Sequence, residues 1–238
     1  MGRLILAAAA LLIFVSEPST ALTLTTEEYP PFNMLDERTG EPTGITVDKV
    51  VELMRRAHEP FTITSYPWPR AYQMALQTEN TCVFSTSRTA AREALFAWIG
   101  PLAKSDWAIF ARATDTRKPK MLEEVRPFVI GGYANAATGE YLKLHGFKVD
   151  LASDDALNLQ KLLRNRIDFW ATGDLLGRYL IRRAGLTDQI VPLFKFELSE
   201  LYLACNHGMS PQRVAKFNDI LKDMERDGSS AAIDRKYQ

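Results

Sequence analysis

The sequence predicts an α/β protein of two lobes, each a mainly parallel sheet flanked by helices. Two observations carry this. From residue 22 onward, short runs of β-forming residues alternate with segments whose apolar residues recur at helical spacing. That alternation runs through strand, helix, strand, helix and strand before residue 90, then starts again near residue 106 and repeats the same plan. Two such units in one chain place a ligand at the strand ends, in the crevice between them.

In chain order, residues 1–21 read as a signal peptide. Arg3 gives the positive start, residues 4–15 form an apolar stretch too short to span a bilayer comfortably, and Ser19-Thr20-Ala21 is a small-residue cleavage site. About 217 residues follow (238 minus 21), enough for one large domain or two small ones. Residues 22–26 form a strand that runs into Tyr29-Pro30-Pro31-Phe32, which the prolines keep extended. Val47, Val50, Val51, Met54 and Ala57 mark a helix over 47–58. Residues 61–66 alternate as a strand, Pro67-Trp68-Pro69-Arg70 breaks it, and a helix covers 71–77.

The stretch from Asn80 to Trp98 stands out. A strand over 81–84 runs into Ser85-Thr86-Ser87-Arg88-Thr89, then into Ala90, Ala91, Arg92 and Glu93, which read as a helix opening. Unpaired amides at a helix start, hydroxyl donors and a guanidinium fork make an anion site. An ordinary N-cap followed by a surface arginine is the other reading of the same residues.

The second unit predicts strands at 106–112, 128–131, 148–151 and 168–171. Its helices fall at 140–144, 155–165 and from Gly173-Asp174 to 183. Later strands cover 190–194 and 201–205. The final helix is capped by Ser210, has Pro211 in its first turn, and stops at Gly228.

Lys plus Arg and Asp plus Glu both number 29, and no basic block appears, so nothing points to nucleic acid. Three scattered histidines give no metal-site spacing. No nucleophile–base pair or phosphate loop is visible, so neither a catalytic residue nor a cofactor is expected. Cys82 and Cys205, in an exported chain, are a candidate disulfide.

Four stretches resemble the periplasmic solute-binding proteins of amino-acid ABC importers, solute-binding family 3, the group that contains the lysine/arginine/ornithine-binding protein. They are Tyr29-Pro30-Pro31-Phe32, Gly44-Ile45-Thr46-Val47-Asp48, Ser87-x-Thr89-x-x-Arg92 followed by Trp98, and Ile233-Asp234-Arg235-Lys236-Tyr237. The resemblance implies the type II periplasmic-binding-protein-like fold, with lobe one at 22–104 and 198–238, lobe two at 105–197, and two hinge strands between them. It implies a monomer that closes on a small-molecule ligand and delivers it to an ABC permease of the inner membrane.

The resemblance also implies residue roles. Tyr29 and Trp68 sandwich the ligand, Arg92 grips its carboxylate, and Ser85, Ser87 and Thr89 add hydroxyl or backbone contacts. From lobe two, Asn135 and Thr138 hold the other side and Asp174 takes the ammonium. Cys82 and Cys205 fall on neighbouring strands. Asn135-Ala136-Ala137-Thr138 stands where the family has Gly followed by Ser or Thr, and Asp174 sits one position from the family's spacing. Arg70 and Arg88 are extra cations, either surface residues or a sign of an anionic ligand. An exported dehydratase acting on prephenate-like substrates and a sensor subunit are the other functions this fold allows.

Overall fold

A computed structural model describes residues 21–237; the signal-peptide expectation lies outside them except for Ala21. Eight strands form one continuous sheet in the order β4-β1-β5-β10-β6-β9-β7-β8. Its first end consists of β1 (Leu22–Thr26), β4 (Phe61–Ser65) and β5 (Thr81–Ser87), all parallel, with Leu24 beside Ile63 on one side and Cys82 on the other. Parallel neighbours need crossover connections, and α1 (Ile45–Ala57) and α2 (Trp68–Gln77) supply them. A small hairpin of β2 (Met34–Leu35) and β3 (Pro42–Thr43) precedes α1.

The other end repeats the plan. Strands β7 (Val129–Tyr133), β8 (Lys148–Ala152) and β9 (Phe169–Gly173) are parallel, with α3 (Ala137–Leu144), α4 (Leu157–Leu163) and α5 (Asp174–Arg183) around them. Between the two ends run β6 (Phe96–Arg112) and β10 (Ile190–Asn206), antiparallel to each other along their whole length. Each has 17 residues, about 55 Å at the usual rise, so each passes through both lobes. The chain then returns to the first lobe through α6 (Pro211–Arg226) and α7 (Ser229–Lys236).

Each lobe has its own apolar filling. In the first, Leu22, Leu24 and Phe84 pack with Val50, Leu53 and Met54 of α1 and with Phe217 and Met224 of α6. Trp68, Ala71, Phe96 and Tyr202 cover the opposite face of that sheet. In the second, Phe110 and Trp170 meet Leu159 and Leu162 of α4, while Ile130, Leu142, Phe147 and Phe169 fill the other side. The Cys82–Cys205 disulfide is present and ties β5 to β10, where the two residues are register partners.

Several expectations change. The prolines do not keep 29–32 extended: Phe32 N and Asn33 N both donate to the Tyr29 carbonyl, closing a tight turn with a cis Pro30–Pro31 bond. The hydroxyl run Ser85–Ser87 belongs to β5 and is buried, because Thr86 and Ser87 pair with Tyr202 and Leu201 of β10. No α-helix opens at Ala90; a turn leads into a 3-10 segment at Glu93–Leu95. The strand expected from 106 starts at Phe96, and the strands expected at 190–194 and 201–205 are one strand. Lys195, Glu197 and Glu200 made that strand read as broken, yet they stay paired with β6 through local register shifts. Helix α7 was not foreseen. The cap at Ser210 forms as expected, its Oγ accepting from Arg213 N at 3.3 Å, and Gly228 follows α6 at φ 79°.

Candidate functional site

The loop after β1 is fixed from beneath. Gly44 sits at φ 127°, and a Cβ there would lie 2.4 Å from the Phe32 carbonyl oxygen. That close approach lets Thr46, the second residue of α1, donate its hydroxyl to the same carbonyl at 2.9 Å. The Thr46 hydroxyl also meets Ser85 Oγ at 2.7 Å, and Ser85 donates to the Asn33 side-chain oxygen. Buried hydroxyl networks of this kind rigidify what they join when every member is satisfied. At the far end of the chain, the Tyr237 hydroxyl receives the Gly44 N–H at 3.0 Å and donates to Asp48 at 2.9 Å. Two of the four family-like stretches therefore brace the loop that carries Tyr29.

Tyr29 projects from this loop across the sheet. Its hydroxyl lies 2.9 Å from Ser105 Oγ on β6, and burial pushes its pKa well above the ordinary tyrosine range. The hydroxyl also fills the space at Gly173, where a Cβ would come within 2.4 Å of it. Trp68, the first residue of α2, donates its indole N–H to the Asn135 carbonyl at 2.8 Å. Asn135 holds φ at 59°, which turns that carbonyl toward the first lobe.

Arg92 is the centre of the arrangement. It follows β5 in the turn, where its amide donates to the Thr89 carbonyl at 2.9 Å, and its side chain is 2% exposed. Its Nε and Nη2 donate to one carboxylate oxygen of Glu140, on α3, at 3.1 and 2.8 Å. Nη2 also donates to the Asn135 carbonyl at 2.8 Å. The guanidinium carbon lies 4.9 Å from the Tyr72 ring centre and 5.7 Å from that of Trp68, within cation–π range. Nη1 has no hydrogen-bond partner. An unpaired N–H on a buried cation is costly, and Arg92 lines a cavity of about 50 Å³.

That cavity is walled by both lobes: Tyr29, Trp68, Ser85, Ser87 and Arg92 from the first, Ala137, Thr138, Thr172 and Gly173 from the second. Thr138 lies in the first turn of α3, whose small residues Ala136 and Ala137 let the backbone approach. By the measure of about 10–15 Å³ per water, the space equals that of a few water molecules. It shares Glu27, Tyr133, Asp155 and Leu176 with a larger outer pocket of about 510 Å³.

Two acids face this cavity. Glu27 stands just past the end of β1, and burial, helped by the nearby Asp155 charge, raises its pKa to about 8. Asp155 precedes α4 and accepts from Trp170 Nε1 at 2.8 Å, Thr172 Oγ1 at 2.5 Å and Asn158 Nδ2 at 3.0 Å. Burial still raises its pKa, against the opposing effect of those donors.

Of the expected site residues, the cavity brings together Tyr29, Trp68, Ser85, Ser87, Arg92 and Thr138. Asn135 contributes its carbonyl to Arg92 and Trp68, and Thr89 its carbonyl to the Arg92 amide. Asp174 is not part of the cavity wall: its carboxylate takes Arg178 Nε at 2.8 Å and has Lys195 Nζ at 3.6 Å. Arg88 pairs with Glu93 and lies over Trp98 and Tyr202, and Arg70 lies over Tyr66, so neither lines the cavity. Sequence reading missed Glu27, Trp107, Tyr133 and Asp155. Glu27 and Tyr133 were findable, because the ligand crevice lies beyond the carboxyl ends of parallel strands. Asp155 read only as a helix opener. Among the described residues no group of His, Cys, Asp and Glu is arranged to hold a metal, and no helix is long and apolar enough to cross a membrane.

The chain matches the family model described as bacterial extracellular solute-binding proteins, family 3, over residues 22–238. No curated protein matches it. Among solved structures it is similar to a histidine kinase sensor domain with similarity to periplasmic binding proteins, at TM-score 0.83 and 21% identity over 91% of this chain and 95% of that one. It is also similar to the arginine-, lysine-, histidine-binding protein ArtJ from the thermophilic bacterium Geobacillus stearothermophilus, at TM-score 0.78 and 15% identity over 92% and 95%. A third is an ancestral amino acid-binding protein, AncCDT-1, described as a precursor of cyclohexadienyl dehydratase, at TM-score 0.74 and 18% identity over 91% and 94%. At these identities the likeness is one of fold.

Proposed function

Because the chain belongs to family 3 of the bacterial extracellular solute-binding proteins, we propose that it captures a small carboxylate-bearing solute, an amino acid or close relative, between its two lobes. The observation that carries this is Arg92 Nη1, a buried donor without a partner on a residue that lines a cavity made by both lobes. A ligand carboxylate supplies the missing acceptor, with Ser87 and Thr138 as flanking hydroxyls, Ser85 behind them bonded to Thr46 and Asn33, and Tyr29 and Trp68 as apolar walls. The Arg92 fork is already engaged by Glu140 and Asn135, so the ligand receives fewer guanidinium bonds than a free fork offers.

In this proposal residues 22–104 with 198–238 move against 105–197. The crossing of β6 and β10 near the paired Ser105 and Ser199 is the hinge. The bonds from Arg92 and Trp68 to Asn135 and Glu140 span the cleft and belong to its closed state. The signal-peptide reading of residues 1–21, the disulfide and the family support a periplasmic protein, which in this proposal acts as a monomer and hands its solute to an ABC permease; delivery to a receptor uses the same binding step. The experiment is a thermal-shift screen over amino acids and small carboxylates, followed by titration of the hit into Arg92→Ala.

A catalytic reading has one observation in its favour. Glu27 holds its proton close to neutral pH and faces the cavity, as a general acid does. Incubation with prephenate separates the readings: turnover lost in Glu27→Gln supports catalysis, and unconsumed substrate removes it.

A further inference from the structure

The cavity holds two carboxyl groups that can ionise when a cation is brought to them, and its arginine is already engaged by a third acid. Arg92 is the one basic side chain among its lining residues, and Glu140 already takes two of its donors. Glu27 and Asp155 line the same cavity. Asp155 is 6% exposed and its carboxylate is held by three neutral donors, the Trp170 indole, the Thr172 hydroxyl and the Asn158 amide. Glu27 has the Tyr133 hydroxyl beside it and Asp154 as a further nearby acid. A buried carboxylate is stable when a cation is brought to it.

The residue expected to take a ligand ammonium, Asp174, is committed to Arg178 and Lys195 and does not line the cavity. The preceding position is Gly173, and the Tyr29 hydroxyl fills the space a side chain would need there. The end of β9 therefore has neither an acid nor room for one.

We infer that Glu27 and Asp155 together form the seat for a ligand cation in the same cavity as the unpaired Nη1 of Arg92, so that the ligand is a zwitterion whose ammonium is taken by Glu27 and Asp155 rather than by Asp174. The inference rests on the cavity being the solute site. The seat lies where the inner cavity meets the outer pocket, since Glu27 and Asp155 line both. A ligand larger than the inner cavity extends outward past these two acids.

The test is a panel of the common amino acids, each with its decarboxylated amine and its deaminated acid, screened by thermal shift and measured by calorimetry. The amino acid that stabilises the wild type binds Glu27→Gln about tenfold or more weakly. Its deaminated acid binds wild type and Glu27→Gln within about threefold of each other, because neither makes the cation contact. Asp155→Asn behaves like Glu27→Gln, and Asp174→Asn keeps wild-type affinity; Asp155→Asn disturbs three buried hydrogen bonds, so Glu27→Gln decides if that variant does not fold. A loss at Asp174→Asn with none at Glu27→Gln overturns the inference, as does a deaminated acid that binds wild type as tightly as the amino acid. Either result leaves the solute site standing if Arg92→Ala still loses the ligand. A panel in which no member stabilises the wild type overturns both.

Discussion

Replacing Arg92 with alanine removes a guanidinium that is 2% exposed and touches both lobes. Two effects follow. In the proposed binding mode the ligand carboxylate loses its charged donor, which costs about 2–5 kcal/mol, or roughly 30- to several-thousand-fold in affinity. The closed state also loses its bonds to Glu140 and Asn135. Glu140 is 42% exposed and regains water, so that second term is small. Arg92 is also one of the largest fully buried side chains and lies over the Trp68 and Tyr72 rings, so the ligand-free protein loses about 1–3 kcal/mol as well. Calorimetric titration with the amino acid that gives the largest thermal shift measures the first effect, and a ligand-free melt the second. Arg92→Lys recovers only part of the binding, because a compact ammonium does not reproduce the planar fork that spans Glu140, Asn135 and the ligand. Arg88→Ala is the control, since its partners are Glu93 and the Trp98 and Tyr202 rings. Arg92→Ala binding within about threefold of wild type refutes the carboxylate socket.

Three other outcomes follow from the same geometry. Glu140→Gln leaves the buried Arg92 charge without its anion and weakens the ligand by about 5- to 30-fold, 1–2 kcal/mol, discounted for the exposure of Glu140; unchanged affinity counts against a role in closure. Replacing Cys82 and Cys205 together by alanine opens a loop with a sequence separation of 123, and denaturant unfolding shows a loss of up to roughly 4–5 kcal/mol; an unchanged midpoint refutes it. Glu27 binds its proton more tightly in the closed cavity than in water, its pKa rising from 4.5 to about 8, with Asp155, Asp154, Arg92 and Tyr133 around it. The closed ligand-free state is therefore favoured at low pH and loses up to about 1.4 kcal/mol per pH unit as pH rises through that range. Small-angle scattering shows the radius of gyration growing between about pH 5 and 8, less so in Glu27→Gln, and a flat profile refutes this.

The alternation of β-forming runs and helical spacings made the two α/β units legible, because each element's burial pattern is local to its own stretch. What local pattern missed was long-range. β10 looked like two strands, since Lys195, Glu197 and Glu200 interrupt its apolar run, and only pairing with β6 shows it continuous. The hydroxyls of Ser85 to Ser87 looked like a loop before a helix, yet they are covered by β10 and bonded to Thr46 and Asn33. Tyr29, Trp68 and Arg92, picked out through the family-like stretches, do line one cavity. The acids in that wall were not legible: Asp174, the acid expected there, bonds Arg178 instead, and Glu27 and Asp155, far apart in sequence, come together only in the folded cavity.

The most direct test is a crystal structure with the amino acid that gives the largest thermal shift. The account predicts its carboxylate within hydrogen-bond distance of Arg92 Nη1, inside the cavity between Tyr29 and Thr138, with the cleft closed as described. A ligand bound elsewhere, or in this cavity with its carboxylate turned away from Arg92, contradicts it.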